Sequence, residues 1–345
     1  MSFDITPMEM RSVETIPDGP QWQYEPKWDG FRAIVHRAGG DVAIVSKHGQ
    51  PLARYFPEIV AALHALKHDG FSLDGELVVP DAGALSFDAL QQRIHPAASR
   101  VTMLSRSTPA LYLAFDLLRE NETELLALPL RERRPRLERF AQAFPIGGPI
   151  RLSPATSDRR VVDDWFARVG GALDGVIAKR ADKPYASGKR DAAVKIKKTR
   201  TADCVIGGFR YAAGETDRVG SLLLGLYDDA GLLDYIGFCS AFATAERKAL
   251  VDRLAPYAGG AGFSGGAPDQ APSRWDRGVE RDRSYVALRP ELVLEVAFDQ
   301  VTSGRIRHGT KPVRWRTDKS PRQCTLEQLE IEGSVLGLLD ASAAQ

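Results

Sequence analysis

Five short segments, spaced along the chain in a fixed order, carry side chains that together can handle a nucleoside triphosphate. The first is Glu-Pro-Lys-Trp-Asp-Gly-Phe-Arg, which holds Lys27 between Glu25 and Arg32. The later segments supply a carboxylate for a ribose, an aromatic ring for a base, a metal ligand and a phosphate clamp. The ordered set predicts that Lys27 takes a nucleotidyl group from the triphosphate. The later segments are residues 73–76, 114–116, 174–179 and 194–197.

Lys27 is the candidate nucleophile. An amine attacks phosphorus only when it is neutral, so the pKa of Lys27 has to fall well below the free value of about 10.4. Burial and the cations Lys195 and Lys197 would lower that pKa, as would a bound metal ion. Pro26 removes a backbone donor and restrains the turn that holds the lysine. A lone lysine is more commonly a solvated loop residue, so it is the downstream segments that favour a nucleophile.

Three further side chains are candidates for holding the nucleoside. Arg32 can grip phosphate or ribose through its guanidinium fork, although an exposed sheet arginine has the same signature. Glu76 lies inside an apolar strand, where it can accept ribose hydroxyls or close a strand-end salt bridge. Phe115 lies in the apolar run 111–118, where a core residue is the more common outcome. Only the order of the segments favours Phe115 as a platform for the base.

Asp174 and a group of basic side chains are candidates for the metal and the phosphates. Asp174 offers the hard oxygen that a divalent ion beside a triphosphate prefers. Lys179, Lys195 and Lys197 can bind the α-phosphate and the pyrophosphate, whereas a solvated basic strand face is the ordinary explanation for the last two. Residues of a later segment could orient the departing pyrophosphate if their domain closes over the cleft. They are Arg316, Asp318 and Lys319.

The bulk composition predicts a soluble protein with a local basic surface. The net charge is only +1, so binding to nucleic acid has to use a local patch, and residues 305–322 provide one. The three cysteines form neither a zinc-ligand pattern nor a disulfide framework. The N-terminus lacks a signal peptide, and no apolar stretch is long enough to span a bilayer. We therefore expect a reducing compartment and no membrane.

Alternating hydrophobicity predicts the elements that position the first group of candidates. Residues 31–36 and 41–46 alternate on either side of Gly39-Gly40, which is typical of a β-hairpin. Residues 56–67 have helical spacing, and Ser86 can cap a short helix. This mixture predicts an α+β domain of antiparallel sheets over residues 1–200. The other expected elements are strands near 72–79, 110–117, 175–179 and 192–197 and helices near 131–143 and 158–169.

Residues 201–345 are expected to form a second domain, with residues 198–200 as the hinge. Short strands are predicted near 203–211, 221–228, 232–238 and 292–299, with one helical stretch near 244–257. Few helices among many short strands predict a small β-barrel, for which the oligonucleotide-binding (OB) fold is the natural candidate.

The chain resembles the covalent nucleotidyltransferase superfamily and, most closely, bacterial ATP-dependent DNA ligases of the minimal "ligase C" class. The resemblance runs from residue 21 to about residue 322. It implies that Lys27 attacks the α-phosphate of ATP and keeps AMP. AMP then passes to the 5′-phosphate of a nick in duplex DNA, and the 3′-hydroxyl displaces it. The motifs that carry the resemblance are Lys27-Trp28-Asp29-Gly30, Asp74-Gly75-Glu76, Phe115-Asp116, residues 175–179, residues 195–197 and Arg316-Thr317-Asp318-Lys319.

The resemblance also implies roles for individual residues. A Mg²⁺ or Mn²⁺ ion is expected near Asp29 and Asp174, Phe115 is expected against adenine, and Glu76 and Arg32 are expected on ribose or phosphate. Two positions depart from the family pattern, which usually has glutamate at Asp174 and often has arginine at the segment of Lys47. The implied nucleotide-binding set is Glu25, Arg32, Lys47, Glu76, Phe115, Lys179, Lys195, Lys197, Arg316, Asp318 and Lys319.

Other functions share part of this pattern. An RNA ligase or an mRNA capping guanylyltransferase would use the same lysine chemistry, and the nucleotide cannot be read from the sequence. A non-enzymatic nucleic-acid-binding protein would need only the barrel and the basic segment, but the complete set around Lys27 argues against it. The absence of zinc-ligating cysteines argues against an NAD-dependent ligase. We expect a monomer in the bacterial cytoplasm, acting on nucleoid DNA in an accessory repair role, with repair proteins as candidate partners.

Overall fold

The computed structural model describes residues 5–81, 83–169, 173–268, 284–302, 304–307, 309–330 and 334–342. The chain forms two compact units: Met1–Lys198 with Ile331–Gln345, and Thr199–Glu330. The division expected at residues 200 and 201 therefore falls two residues beyond the structural one. The C-terminal residues, expected in the second domain, group with the first unit instead.

The first unit is built from short strands and interspersed helices. The helices are α1 (Pro57–Ala65), α2 (Phe87–Gln92), α3 (Ala98–Ser107), α4 (Leu130–Ala141) and α5 (Arg159–Val169). The strands are β1 (Arg11–Ser12), β2 (Trp22–Pro26), β3 (Phe31–Ala38), β4 (Asp41–Ser46), β5 (Phe71–Val78), β6 (Pro80–Asp81), β7 (Ala84–Leu85), β8 (Leu111–Glu120), β9 (Thr123–Glu124), β10 (Ile150–Leu152), β11 (Gly175–Arg180) and β12 (Ala193–Lys197).

Two main sheets carry the residues of interest in this unit. The first has the strand order β1-β12-β11-β2, and the second has the order β10-β8-β5-β3-β4 with β9 paired to β8. The pairs β1–β12 and β10–β8 are parallel, whereas the other neighbours in these sheets are antiparallel. The expected mixture of helices with mainly antiparallel sheets is thus confirmed for this unit.

Local sequence explains several of these elements. The predicted hairpin is present as β3 and β4, and Gly39 in its turn has a φ of 58°, which a residue without a Cβ adopts readily. Ser86 caps α2, as predicted, by accepting a hydrogen bond from the backbone N–H of Ala89 at 3.2 Å. The apolar face of α1, with Ile59 and Leu63 fully buried, packs in the core of the second sheet.

The C-terminal residues return to the first unit because their side chains are apolar. Val335, Leu338 and Leu339 are buried in a cluster with Trp28 and Leu173, which flank Lys27 and Asp174 in the sequence. Ser334 Oγ also donates a hydrogen bond to the carbonyl of Gly83 at 2.9 Å. The last helix, α7, spans Gly337–Ser342, the final described residues. Burial of these side chains accounts for the departure from the expected domain boundary.

The second unit contains one α-helix in its described part, α6 (Thr244–Leu254), together with short 3-10 helices at Ala255–Tyr257, Pro321–Gln323 and Leu326–Leu329. Its central sheet has the order β15-β14-β13-β17-β20, with β16 also paired to β13. An isolated parallel bridge between Cys239, at the end of β15, and Thr310, just before β20, joins the two edge strands. The strands are β13 (Arg200–Tyr211), β14 (Val219–Tyr227), β15 (Leu233–Cys239), β16 (Val286–Ala287), β17 (Val293–Phe298), β18 (Val301–Thr302), β19 (Arg305–Ile306) and β20 (Lys311–Trp315).

No helix among the described residues combines the length and the apolar character needed to cross a bilayer.

Candidate active site

Lys27 lies immediately after β2, where the chain leaves the first sheet. Its backbone N–H donates to the carbonyl of Gly175 at 2.9 Å, which continues the pairing of β2 with β11. Its Nζ forms an ion pair with Asp174 Oδ2. The side chain of Lys27 is 20% exposed and that of Asp174 is 5% exposed. The strand pairing therefore places the candidate nucleophile and the candidate metal ligand in contact.

Gly175 lets β12 approach β11 at this point. Its φ is 152°, and a Cβ built on it would lie 2.0 Å from the carbonyl oxygen of Ile196. A side chain there would push away the strand that carries Lys195 and Lys197. The glycine that follows Asp174 in the sequence motif therefore has a steric function in the sheet.

Basic side chains line one face of the first sheet. Ile177 is the cross-strand partner of both Glu25 and Lys195, and Gly175 is the partner of Lys197. Because side chains alternate along a strand, Glu25, Lys195 and Lys197 share the face that also carries Lys179. The opposite face packs in the core through Tyr24, Val176, Ala178, Val194 and Ile196. The alternation thus separates a charged face from an apolar one.

Glu25 and Lys179 form a buried ion pair on this face. Lys179 Nζ lies 2.7 Å from Glu25 Oε2, and the two side chains are 5% and 3% exposed. Gln23 Nε2 donates to the other carboxylate oxygen of Glu25 at 2.9 Å. Glu25, expected from the resemblance to bind nucleotide, therefore holds Lys179 in this structure.

Phe115 is half-buried and lies among cations. Lys179 Nζ is 4.4 Å from the centre of the Phe115 ring, and the Arg32 guanidinium carbon is 5.6 Å from it. Lys179 belongs to the first sheet, whereas Phe115 and Arg32 belong to the second. The charged face of the first sheet and one face of the second therefore meet around this ring.

Arg32 and Glu76 are cross-strand partners on β3 and β5. Arg32 Nε and Nη2 donate to the two oxygens of fully buried Asp74 at 3.1 and 2.6 Å. Arg32 Nη1 donates to the carbonyl of Met8 at 2.5 Å, and the Tyr185 hydroxyl donates to Asp74 at 2.6 Å. Much of the guanidinium is thus held by the protein. Sequence reasoning treated Asp74 only as part of a motif and missed Tyr185, although Asp74 lies two residues before Glu76 and so faces the same side.

Burial shifts the pKa of Glu76 and that of Lys27 in opposite directions. It raises the pKa of Glu76 to about 8, an effect that the charges of Arg32 and Lys27 oppose. It lowers the pKa of Lys27, and the charges of Lys197 and Lys195 lower it further, while Asp29 and Glu76 act in the opposite direction. Burial, Lys195 and Lys197 thus act on the pKa of Lys27 in the expected direction, and the expected effect of a bound metal ion stays a prediction.

Lys47 lies at the exposed margin of this region. Its backbone N–H donates to the carbonyl of Arg32 at 3.1 Å, and its Nζ lies 3.6 Å from Glu9 Oε1. Glu9 also pairs with Arg190 at 2.5 Å.

Burial lowers the pKa of Lys195, and the charges of Lys197, Lys47 and Arg190 lower it further. Arg190 therefore joins the basic group, although no sequence signal marked it.

A metal ion at this site would need oxygen ligands from the substrate as well as from the protein. Within the described ranges, no three His, Cys, Asp or Glu side chains are grouped as metal ligands. Asp174 Oδ1, however, is buried and has no hydrogen-bond partner among the described residues. A buried carboxylate oxygen of this kind suits a divalent cation whose remaining ligands are phosphate oxygens and water. The donor set therefore fits a metal ion that binds together with a triphosphate.

The last predicted segment lies in the second unit and forms its own charged cluster. Arg316 Nε and Nη2 donate to the two oxygens of Asp318 at 2.9 and 2.8 Å. Arg316 Nη1 and Lys319 Nζ donate to Asp203. The hydrogen bonds from Arg316 lower the pKa of Asp318 to about 2. Asp318, expected among the nucleotide-binding residues, thus holds Arg316, and sequence reasoning missed Asp203.

Two family models match this chain. Residues 8–197, more than half of the chain, match the ATP dependent DNA ligase domain. Residues 215–319 match the ATP dependent DNA ligase C terminal region. The first match includes every candidate residue around Lys27, and the second includes Arg316, Asp318 and Lys319.

The chain is also similar to individual named proteins and to a solved structure. DNA ligase C2 of Mycolicibacterium smegmatis is 44% identical over 341 residues, which cover 94% of each chain. The multifunctional non-homologous end joining DNA repair protein LigD of Mycobacterium tuberculosis is 32% identical over 314 residues, covering 89% of this chain and 38% of LigD. A solved structure from work on Lig E DNA ligases has a TM-score of 0.52 at 16% identity, covering 89% of this chain and 99% of that chain. This last likeness concerns the fold alone.

Proposed function

The chain belongs to the ATP-dependent DNA ligase family, and from that membership we propose that it seals nicks in duplex DNA through an AMP-bound Lys27. The observation that carries the proposal is the position of Lys27, which contacts Asp174 beside the charged face of the first sheet. Phe115, in contact with Lys179 and Arg32, supplies the aromatic surface for adenine. Nucleophile, phosphate-binding cations and base platform thus belong to one compact unit.

The first step uses the neutral amine of Lys27. A bond forms between Nζ and the α-phosphorus of ATP, and the bond from that phosphorus to the bridging oxygen breaks, releasing pyrophosphate. Asp174 Oδ2 contacts Nζ and is positioned to take the proton that the nitrogen loses. Burial lowers the pKa of Lys27 and so raises the fraction of the reacting form.

The surrounding side chains orient the nucleotide. Lys195 and Lys197 attract the phosphates from the face that they share, and Lys179 is fixed for the same purpose by Glu25. Arg32 and Glu76, paired across β3 and β5, contact ribose or phosphate. Lys47 adds a positive charge at the exposed margin of the site.

A divalent ion, Mg²⁺ or Mn²⁺, would be held by Asp174 with Asp29 nearby. When bound, such an ion neutralises charge on the triphosphate. The Oδ1 of Asp174, which has no hydrogen-bond partner among the described residues, supports this assignment. Asp174 has a shorter side chain than the glutamate expected from the resemblance, so its oxygens lie closer to the main chain just before β11.

The later steps pass AMP to DNA and then release it. The 5′-phosphate of the nick attacks the phosphorus of lysyl-AMP, which breaks the nitrogen–phosphorus bond and restores the amine. The 3′-hydroxyl then attacks the 5′-phosphorus, the phosphodiester forms and AMP leaves. Each step exchanges one bond to phosphorus for another, and cleavage of the anhydride bond of ATP in the first step supplies the free energy for sealing.

For the second unit we propose an OB fold. Its main strands, numbered first to fifth along the chain as β13, β14, β15, β17 and β20, neighbour one another in the order third, second, first, fourth, fifth, and the Cys239–Thr310 bridge joins the fifth strand to the third. The helix α6 lies between the third and fourth strands. This topology supports a small Greek-key barrel that binds nucleic acid. Arg316 and Lys319 of this unit are proposed to orient the departing pyrophosphate.

We also propose an accessory role in DNA repair, supported by the likeness to LigD, whose name gives it such a role. Action as a monomer, action in the bacterial cytoplasm and association with other repair proteins stay predictions from the sequence.

The test combines labelled nucleotides with a nicked substrate. We expect α-labelled ATP to label the protein covalently, and the label to leave on addition of a duplex with a 5′-phosphorylated nick, which becomes sealed. Lys27→Arg keeps the charge but removes the nucleophile, so it should bind DNA without taking label. Labelling of Lys27→Arg, labelling from GTP alone, or sealing only of RNA strands would each refute the proposal.

A further inference from the structure

Asp203 is a nearly buried carboxylate outside all of the sequence motifs. It lies on β13 and is 8% exposed. Arg316 Nη1 donates to both of its oxygens at 3.0 and 2.9 Å, and Lys319 Nζ donates to Oδ2 at 2.8 Å. A single carboxylate therefore holds both cations of the segment 316–319.

The backbone of Asp203 is held by the side chain of Gln328 on one side and by β17 on the other. Its N–H donates to Gln328 Oε1 at 2.9 Å, and its carbonyl accepts from Gln328 Nε2 at 3.1 Å. On the other side, β13 pairs with β17, where Asp203 lies opposite Glu295. Because its main chain is held from both directions, the carboxylate presents its oxygens to Arg316 and Lys319 from a defined place.

Two carboxylates surround Arg316. Asp318 occupies the guanidinium fork, and Asp203 occupies the remaining terminal nitrogen. Arg316 and Lys319 carry two positive charges, and Asp203 and Asp318 carry two negative charges, so the formal charge of the cluster cancels. An anionic side chain repels phosphate, so Asp203 can serve the reaction only through the cations that it holds.

We propose that Asp203 is a positioning residue for the reaction with ATP, holding Arg316 and Lys319 in the arrangement from which they engage the departing pyrophosphate. This inference rests on the proposed function of the segment 316–319. It has a specific consequence for the three-step reaction. Lysyl-AMP formation releases pyrophosphate and needs Asp203, whereas sealing of a nick that already carries AMP releases no pyrophosphate and does not.

The test compares these two reactions in Asp203→Asn, which keeps the shape and removes the charge. We expect the rate of lysyl-AMP formation to fall about tenfold, the scale of losing one charge-assisted contact. Sealing of a chemically pre-adenylylated nick should keep the wild-type rate. Asp252→Asn, an exposed change on α6 of the same unit, is the matched control and should keep both rates.

A double variant separates positioning from a general structural role. In the Arg316→Ala/Lys319→Ala background, Asp203→Asn should cause no further loss of lysyl-AMP formation, because the groups through which it acts are gone. An additional tenfold loss there, or equal losses in the two reactions, would overturn the proposal. If thermal unfolding shows that Asp203→Asn does not fold, Asp203→Glu keeps the charge and should slow lysyl-AMP formation alone.

The same experiment separates failure of this inference from failure of its premise. If Arg316→Ala/Lys319→Ala forms lysyl-AMP at the wild-type rate, the proposed role of the segment 316–319 is wrong, and Asp203 has nothing to position. If that variant is slow while Asp203→Asn is as fast as wild type, only the inference about Asp203 is wrong.

Discussion

Lys27 and Asp174 are 147 residues apart in the sequence, yet Lys27 Nζ contacts Asp174 Oδ2. The other oxygen of Asp174 is buried and without a hydrogen-bond partner in the described part of the chain. One carboxylate thus has one oxygen on the nucleophile and one available for a cation. This arrangement couples protonation of the amine to binding of the metal and nucleotide, and it determines the first two predictions.

The rate of lysyl-AMP formation should rise with pH. The neutral amine is the reacting form, so the rate follows deprotonation of Lys27 and levels off above its lowered pKa. Because Lys195 and Lys197 lower that pKa, Lys195→Gln should raise it and shift the profile to higher pH. The measurement is the single-turnover rate of covalent labelling, taken between pH 5 and 9 at intervals of about half a pH unit. A shift to lower pH in Lys195→Gln would contradict the assigned electrostatics.

Asp174→Asn should slow lysyl-AMP formation strongly, by about a hundredfold, because it removes both a proton acceptor and a cation ligand. Asp174→Glu keeps a carboxylate and should retain most of the rate. The measurement is the labelling rate at saturating ATP as Mg²⁺ is varied, and Asp174→Asn should also need more Mg²⁺. Equal rates for the asparagine variant and the wild type would show that Asp174 has no such role.

Much of this site could be predicted because strands impose alternation. The charged face of β12 follows from its alternating apolar and basic residues, and the hairpin of β3 and β4 follows from its glycine turn. The sequence did not reveal which side chains hold the charged candidate residues in place. Asp203 pairs with residues more than 100 positions away, and such tertiary contacts leave no local periodicity. The apolar side chains of the C-terminal residues likewise did not indicate which unit they pack against.

Glu25→Gln should destabilise the first unit. It leaves the buried ammonium of Lys179 without its counter-charge, which typically costs about 3 kcal/mol of unfolding free energy. The measurement is urea unfolding followed by circular dichroism. Asp163→Asn, which breaks the exposed pair with Arg159 on α5, is the control and should cost less than about 1 kcal/mol. Equal losses in the two variants would mean that the Glu25–Lys179 pair is solvated.

His36 should make stability depend on pH. Burial lowers its pKa from 6.5 to about 4, and its Nδ1 lies 2.7 Å from Ser72 Oγ. The unfolded chain therefore binds more protons than the folded one between these values, so stability rises with pH across that window and falls as the solution is acidified. The loss at pH 4 should be about 3 kcal/mol. Urea unfolding at a series of pH values measures this. The free energy of unfolding of His36→Asn should depend less steeply on pH than that of wild type, whereas exposed His64→Asn should keep the wild-type dependence.

Gly175→Ala tests the steric requirement beside Asp174. The new Cβ would lie 2.0 Å from the backbone oxygen of Ile196, which cannot rotate away, at a φ of 152° that favours glycine. We expect a loss of more than about 3 kcal/mol in unfolding free energy, with little lysyl-AMP formed by the protein that still folds. Gly40→Ala, in a hairpin turn with nothing within 4 Å of the new Cβ, should unfold within about 1 kcal/mol of wild type. If both variants unfold at the same urea concentration, the close approach of β12 at Gly175 is not required, and the position of Lys197 opposite that glycine has another cause.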